Sequence, residues 1–306
     1  MPSEIHSRLI TANHILHHHG VLDGYGGVSV RSIGNPNNFF LADECPPAMV
    51  SSMDDITEFR VDDGAPTNPD IKLGWSERYI HSELYKRFPS IEGIVHSRSP
   101  DVIPYTVNGV PLKPVTHTAG FLGLYTPVWD INSTHSVLSS GTMHDMHIRD
   151  NTIGASFAAT FSKSSSTAGA IYNKASSLVM GSSPQGALIP DHTVVLMRGH
   201  GMTVIGASLE EAVFKAIYAQ DSAKAQTTAL LTSVASSGGK VEGKVDVEGG
   251  GNIKGGKVKM NGETQFLSKE ESVETWKVIK KSVPRLWKGW EWEVDHLPMY
   301  INKERA

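Results

Sequence analysis

The stretch from Trp75 to Arg98 constrains the fold most, because it specifies a helix, a stop and a buried strand in direct succession. Ile80 and Leu84 lie four residues apart and predict the buried stripe of a short helix. Pro89 ends that helix, since proline has no backbone N–H and its ring clashes with the preceding turn. The apolar residues of 91–95 then predict a buried strand. The side chains that follow residue 95 therefore stand at the end of a core strand.

Ionisable side chains lie at both ends of this unit. Ser76 is the candidate N-cap of the helix, and Glu77 and His81 then share one helical face. His96 and Arg98 are two residues apart, so on a strand they point to the same side. A carboxylate at a helix start that faces an imidazole at a strand end suggests acid–base or metal chemistry. The alternative is a capped helix with a surface glutamate and a core histidine.

The composition is that of an ordinary soluble globular protein. The 306 residues are 39% hydrophobic and 20% charged, which is enough for a substantial core. The net charge of −4 gives no basic surface for nucleic acid or for an anionic membrane. A single cysteine, Cys45, fits a reducing compartment. The first residues lack the apolar core of a signal peptide, and no run approaches the roughly 18 apolar residues of a membrane helix. We therefore expect a cytoplasmic protein without nucleic-acid or membrane partners.

The amino-terminal half predicts a helix followed by short strands. Residues 4–19 form an amphipathic pattern that stops at Gly20. Gly24, Gly26 and Gly27 predict a tight loop that another backbone can approach closely. The strands beyond the loop alternate with turn residues, which suggests antiparallel pairing. The predicted strands are residues 28–31, 38–42, 48–51, 57–61 and 125–130, with a hairpin over 101–118 that turns at Asn108-Gly109.

The carboxy-terminal half contains a second candidate site segment. Residues 192–198 predict a dense apolar strand that ends in a Gly-His-Gly segment centred on His200, and residues 202–205 predict the next strand. A histidine between two glycines has a ring free of neighbouring side chains, which favours a site over a core role. A serine–glutamate capping box begins the longest helix, residues 208–231. The other predicted helices are 150–161 and 268–282.

Two tracts have the composition of flexible loops. Residues 162–190 are rich in Ser and Gly, and residues 233–262 are rich in Gly, Lys and Glu. We predict both as low-complexity insertions within a single domain that spans residues 1–306. The tail after residue 286 carries several tryptophans, and it is too apolar to remain in water. We therefore expect the tail to dock on the body or on a neighbouring subunit.

Taken in order, these motifs resemble the class II aldolase/adducin family, including its decarboxylase-like members. The resemblance implies a three-layer α/β/α sandwich with a mostly antiparallel central sheet, and a homotetramer with active sites between neighbouring subunits. It also implies a divalent metal, Zn or Mn, held by three imidazoles, and a glutamate that acts as general acid/base. The matching residues are Ser76-Glu77, His81, Val95-His96-Ser97, residues 196–201 and residues 206–212.

Carried over residue by residue, the resemblance makes Glu77 the acid/base glutamate and His96 and His200 metal ligands. The family's second ligand in its H-x-H pair falls on Arg98, whose guanidinium has no lone pair to donate. A guanidinium about 4 Å from a dication would be repelled by about 8 kcal/mol at an effective dielectric of 20. Either Arg98 turns away and a metal binds through the two histidines and a substitute, or no metal binds. The substitution favours loss of the metal.

A second departure concerns the substrate. Phosphosugar aldolases of the family carry Asn at the position of Gly27, and aromatic-acid decarboxylase-like members tend to carry His. Glycine supplies neither side chain, which argues against a phosphorylated sugar. We therefore expect a non-phosphorylated carboxylate or carbonyl compound as substrate.

Three functions are open on the sequence alone. The first is a lyase that makes or breaks a C–C bond, by decarboxylation or aldol-type cleavage, in specialised metabolism. Its catalytic set is Glu77, Arg98 and His117, where Arg98 binds a carboxylate or enolate and Glu77 or a histidine moves the proton. The second is a metal-free cyclase or isomerase that uses the same pocket. The third is a catalytically silent, adducin-like scaffold.

Overall fold

The structure is a computed structural model that describes residues 2–42, 45–71, 77–132, 145–162, 188–236 and 264–305. Its strands are β1 (Gly27–Arg31), β2 (Asn38–Leu41), β3 (Thr57–Arg60), β4 (Gly93–Ser97), β5 (Val128–Trp129), β6 (Val194–Met197) and β7 (Gly201–Gly206). Its α-helices are α1 (Pro2–His18), α2 (Arg78–Arg87), α3 (Pro104–Val107), α4 (Asn151–Thr160), α5 (Leu209–Ser236), α6 (Lys269–Ile279) and α7 (Val283–Asp295). Short 3₁₀ helices cover Met53–Asp55, His117–Leu122 and Lys280–Ser282.

The strands form one seven-stranded sheet in the order β3-β2-β1-β4-β7-β6-β5. β1 pairs antiparallel with β2 and with β4, and β4 pairs antiparallel with β7. Within the described ranges the parallel pairing is that of β5 with β6. The sheet is therefore mostly antiparallel, as predicted.

Helices cover both faces of this sheet. Every central strand is therefore buried along its whole length. In β4, Val95 faces a core that includes residues of α1, α5 and α7. Its neighbour Ile94 faces a second core formed with α2 and α4. Successive strand residues point to opposite faces, so this alternation divides the apolar residues between two layers. The result is the three-layer α/β/α sandwich that the family resemblance implies.

Two local predictions were wrong. Residues 48–51 form a turn and an extended segment, not a strand. The predicted hairpin over 101–118 is absent: Pro104–Val107 form the short helix α3, because Pro104 occupies its first turn, where proline's fixed φ favours a helix, and residues 110–115 have no regular structure. Asn108-Gly109 ends this helix: the Asn108 N–H donates to the Pro104 carbonyl, and Gly109 has φ +74°.

The carboxy-terminal tail docks on the body, as predicted. Trp287 and Trp290 of α7 are buried in the core shared with α1 and α5. The Tyr300 hydroxyl lies 2.8 Å from Nδ1 of His17 on α1. The predicted helix 268–282 ends at Ile279, and after a 3₁₀ turn α7 begins at Val283, with Pro284 in its first turn.

Of the predicted low-complexity tracts 162–190 and 233–262, residues 163–187 and 237–262 lie outside the described residues, and so does the candidate N-cap Ser76. The long helix α5 extends beyond its predicted end, to Ser236. Among the helices that the structure describes, none has the length and apolar character needed to cross a bilayer.

Candidate active site

His96 lies inside β4 and has no exposed surface. The pairing of β4 with β7 sets it opposite Thr203, whose Oγ1 lies 2.9 Å from His96 Nδ1. This contact fixes the ring orientation and leaves Nε2 to face the other site residues. A histidine bound at one ring nitrogen by a neighbour is typical of metal sites and of acid–base sites.

His200 is brought to His96 by the tight turn between β6 and β7. The turn passes so close to β4 that a Cβ on Gly201 would lie 2.0 Å from the Ser97 carbonyl oxygen. Gly201 also has φ +151°, which side chains rarely tolerate, so the position requires glycine. As a result, His200 Nε2 lies 3.1 Å from His96 Nε2.

Glu77 immediately precedes α2 and is 4% exposed. Its Oε1 lies 3.6 Å from His96 Nε2 and 3.5 Å from His200 Nε2. The Arg98 guanidinium pairs with the same oxygen. One carboxylate oxygen thus contacts two imidazoles and one permanent cation.

The glycine-rich loop before β1 packs against the backbone of this site. Gly26 has φ +79°, and a Cβ there would lie 2.4 Å from the His96 carbonyl oxygen. The loop thereby holds Tyr25 at the site, where the Arg98 guanidinium stacks over its ring at 4.6 Å. The predicted close approach of the loop is confirmed.

Burial and charge set the protonation of the cluster. Burial raises the pKa of Glu77, but His96, His200 and Arg98 outweigh it and hold that pKa well below its ordinary value. Burial lowers the pKa of His200, and although the Glu77 hydrogen bond raises it, the net direction is downward. At neutral pH the site therefore holds an ionised carboxylate and a neutral His200.

His81 supports the cluster from α2. It is fully buried, its Nδ1 lies 2.7 Å from Ser29 Oγ, and burial lowers its pKa to about 3. Ser29 Oγ also lies 2.9 Å from the Tyr85 hydroxyl. His81 is therefore a neutral, hydrogen-bonded core residue on the helix that carries Glu77.

The residues present fit a divalent ion. In the described part of the chain, Glu77, His96 and His200 offer three ligand atoms within 4.8 Å of one another. Ligand atoms about 2.0–2.1 Å from a tetrahedral ion lie about 3.3 Å apart, and the three separations here are 3.1, 3.5 and 3.6 Å. Arg98 pairs with the carboxylate, so its charge is offset by Glu77. The two alternatives were that Arg98 turns away and a metal binds, or that no metal binds. This geometry favours metal binding.

The structure brings together four of the five residues that the sequence singled out: Glu77, His96, Arg98 and His200. It does not bring His117 to them. His117 begins the 3₁₀ helix His117–Leu122, which packs against α6, and its side chain is exposed. A catalytic role for His117 stays a prediction.

One neighbour of the site was not identified from the sequence. The ring of His147 lies 6.2 Å from the ring of His200, centroid to centroid. Its sequence signal is the pair of histidines in the segment Met-His-Asp-Met-His that ends at residue 147. Without coordinates, nothing in that segment shows which strand end it approaches.

The fold and this site define the class of protein. The model of the class II aldolase and adducin N-terminal domain matches residues 7–227, and the chain belongs to that family. Membership of this family supports a lyase-type activity for the chain in general terms.

Individual relatives extend the comparison beyond the matched domain. The decarboxylase tropJ of Talaromyces stipitatus is 34% identical over 303 residues, which cover 99% of this chain and 98% of the relative. The L-fuculose 1-phosphate aldolase of Glaciozyma antarctica superposes with a TM-score of 0.61 at 15% identity, covering 98% of this chain and 93% of that one. An aldolase II superfamily protein of Pseudomonas syringae superposes with a TM-score of 0.57 at 14% identity, covering 98% and 95%. At such identities, the two structures support the fold alone.

Proposed function

We propose that this protein is a C–C lyase that decarboxylates a non-phosphorylated substrate whose carboxylate is conjugated to a carbonyl or phenolic oxygen. The observation that carries the proposal is the contact of Glu77 Oε1 with His96, His200 and Arg98. The 34% identity to a decarboxylase over nearly the whole of both chains supports this reaction over aldol-type cleavage.

The charges of the site match the electron flow of decarboxylation. The bond between the carboxylate and its carbon breaks, CO₂ leaves, and the electron pair moves onto the conjugated oxygen as an enolate or phenolate. Arg98 is a fixed cation with a planar set of donors, so it suits a carboxylate or enolate oxygen. Glu77 takes up one proton from solvent before this step, gives it to the carbon, and so returns to its ionised form. The ionised resting state of Glu77 suits this role, because it begins as a base.

A divalent cation held by Glu77, His96 and His200, which we propose to be Zn or Mn, supplies Lewis-acid stabilisation of the enolate or phenolate oxygen when bound. Exclusion of water by the surrounding core strengthens every charge interaction in the site. His96 and Glu77 are almost fully buried, which supports such an environment.

Two features support a substrate without phosphate. A Cβ on Gly27 would lie 3.1 Å from the Leu41 side chain, so this position is packed by the core. Arg31, the cation nearest in sequence to the glycine loop, donates to the backbone carbonyls of Pro36, Tyr85 and Ile91. Its guanidinium is therefore committed to the fold, and it supports no phosphate site at the loop.

The experiment is a CO₂-release assay on a panel of carboxylates. Hydroxybenzoates, other phenolic carboxylates and β-keto acids form the test set, and sugar phosphates scored for aldol cleavage form the control set. We expect stoichiometric CO₂ from at least one carboxylate and no cleavage of the sugar phosphates. Conversion of a panel member without CO₂ would instead favour the cyclase or isomerase alternative, and cleavage of the sugar phosphates would contradict the proposal.

The assembly is a separate proposal. The family resemblance suggests a homotetramer, which light scattering coupled to gel filtration tests directly. A buried carboxylate and a buried imidazole, grouped with a second imidazole and a half-buried guanidinium, are costly to desolvate and have no evident use in a scaffold. It therefore supports an enzyme over the adducin-like scaffold.

A further inference from the structure

We propose that Thr106 is a positioning residue of the cation site: its hydroxyl fixes the turn that carries His200 and so sets how tightly the site holds a divalent ion. The inference rests on the cation site of the proposed function, and it adds a residue that acts through the backbone rather than by touching the ion. Thr106 lies on α3, the helix found in place of the hairpin predicted from the sequence. The proposal therefore gives that helix a role at the site.

The turn that carries His200 has a conformation that depends on an acceptor outside the turn. The His200 N–H donates to the Met197 carbonyl at 3.0 Å and closes a four-residue turn. Gly199, the third residue of this turn, has φ +63°, which is the arrangement of a type II turn. The N–H of the central peptide belongs to Gly199 and is not bonded inside such a turn. The orientation of this peptide is therefore set by the group that accepts its N–H from outside.

Thr106 supplies that acceptor. Its Oγ1 accepts from the Gly199 N–H at 3.0 Å and donates to the Ile103 carbonyl at 2.8 Å. A carbonyl can only accept, so the hydroxyl hydrogen points to Ile103, and the oxygen lone pairs are left to face Gly199. Thr106 is buried, so this contact is largely shielded from water. The hydroxyl thus selects one orientation of the peptide that precedes His200.

Helix α3 is itself anchored to the body of the protein. Tyr105, the residue before Thr106, is buried, and its hydroxyl donates to the Ala223 carbonyl at 3.1 Å. The same hydroxyl lies 2.8 Å from Thr227 Oγ1. Both partners belong to α5, the long helix that packs on the central strands. Direct contacts therefore run from α5 through α3 to the turn that carries His200.

The position of this turn matters because metal ligation tolerates little displacement. His200 Nε2 lies 3.1 Å from His96 Nε2 and 3.5 Å from Glu77 Oε1. Distances from a metal ion to its ligands vary by only about 0.2 Å. A turn that could adopt a second peptide orientation would move the His200 ring by more than this, so it would hold the ion less tightly.

The test compares the Zn²⁺ and Co²⁺ affinities of the chelator-stripped protein, measured by competition with a chromophoric chelator. Thr106→Val keeps the shape of the side chain and removes the acceptor. The affinity should fall by at least about tenfold, which is the scale of effect for residues that orient metal ligands. Thr106→Ser keeps the hydroxyl, so its affinity should stay within about threefold of the parent. Unchanged affinity in Thr106→Val, equal losses in the two variants, or a parent that binds neither ion would each overturn the assignment.

Thr11→Val is the matched control. Thr11 is likewise buried, and its Oγ1 accepts a hydrogen bond from Asn302 Nδ2 at 3.1 Å. It lies on α1, which contributes none of the site residues described above. Its loss should leave the metal affinity within about threefold of the parent, even where urea denaturation shows a lower stability. A loss of affinity as large as that of Thr106→Val would assign the effect to general destabilisation and would overturn the proposal.

A second readout needs no metal. In the metal-free protein, NMR relaxation should show more mobile backbone amides at Gly199 and His200 in Thr106→Val and not in Thr11→Val. Amides as rigid as those of the parent would contradict the positioning role. CO₂ release by the parent is scored separately. If it occurs while Thr106→Val binds metal as the parent does, the positioning role fails and the proposed function stands. Loss of affinity in Thr106→Val without CO₂ release by the parent has the reverse meaning.

Discussion

Glu77→Gln is the substitution that separates the catalytic interpretation of the cluster from a structural one. Glutamine keeps the size of the side chain and can still accept a hydrogen bond from Arg98 or an imidazole. It cannot take up and return a proton at the substrate carbon. The amide oxygen can still contact the proposed cation, so the variant is assayed in excess metal with its metal content matched to that of the parent. Under the lyase mechanism, the variant should then bind substrate and fail in the chemical step.

The expected loss follows from the position of the carboxylate. Glu77 is 4% exposed, and its Oε1 is within 3.6 Å of both imidazoles, so this carboxylate is held in place at the centre of the cluster. General acid–base catalysis by a positioned side chain contributes about 10²–10⁴-fold. At 1.36 kcal/mol per factor of ten, this is about 2.7–5.4 kcal/mol of barrier. We expect kcat for CO₂ release to fall by at least about 100-fold with KM changed only slightly.

Glu83→Gln is the control for this loss. Glu83 lies on the same helix, is also buried, and pairs with Lys86 at 3.2 Å. Its removal should leave kcat within a factor of about three, because an ion pair with an exposed lysine contributes little. Equal kcat values for the parent and Glu77→Gln would refute the acid/base role, and so would equal losses in the two variants.

The same variant makes a prediction for stability against pH. The folded-state pKa of Glu77 is held below its ordinary value, near 4.5, so the carboxylate contributes stability above that pH and loses it as the pH falls. With metal removed by a chelator, acid should therefore destabilise the parent more steeply below about pH 4.5 than it destabilises Glu77→Gln. Urea denaturation at a series of pH values measures this. If the free energy of unfolding fell equally steeply with pH below about 4.5 in both proteins, the charge environment described for Glu77 would be contradicted.

Three further predictions concern the site and its supports. Arg98→Met should raise KM for the carboxylate substrate at least about tenfold, since it removes the fixed cation. An unchanged KM would remove Arg98 from substrate binding. Trp290→Ala should cost about 3 kcal/mol of unfolding free energy and the exposed Trp292→Ala less than about 0.5, so equal effects would argue against the docked tail. Gly201→Ala should cost at least about 2 kcal/mol, because its Cβ meets the Ser97 carbonyl. At Gly289, which lies on helix α7, a Cβ would meet nothing within 4 Å, so Gly289→Ala should be neutral or stabilising. Chemical denaturation measures the two glycine variants, and equal effects would contradict the close approach at Gly201.

The sequence predicts the parts of the site that local rules determine. Pro89 and the apolar run before His96 give the helix stop and the strand, and the two-residue spacing puts His96 and Arg98 on one side. The structure bears this out, because both side chains reach Glu77. The glycines around His200 likewise signal a close backbone approach, here to Ser97.

The sequence does not predict the parts that depend on long-range packing. His147 reaches His200 through a segment without regular structure, so no periodicity marks it. The Asn108-Gly109 pair has the same letters whether it turns a hairpin or ends a helix, and Pro104 decides for the helix. The spacing of His96 and Arg98 does not show that the guanidinium pairs with Glu77, because that pairing depends on charges brought together by the fold.

The central claim is that Glu77, His96 and His200 hold a divalent cation beside Arg98 and that this cluster is the catalytic centre of a lyase. Elemental analysis of the purified protein beside a His96→Ala/His200→Ala double variant tests the claim most directly. We predict near-stoichiometric Zn or Mn in the parent, its loss from the double variant, and loss of CO₂ release in the same preparation. Equal metal content in the two proteins, or full CO₂ release by the metal-free double variant, would contradict the account.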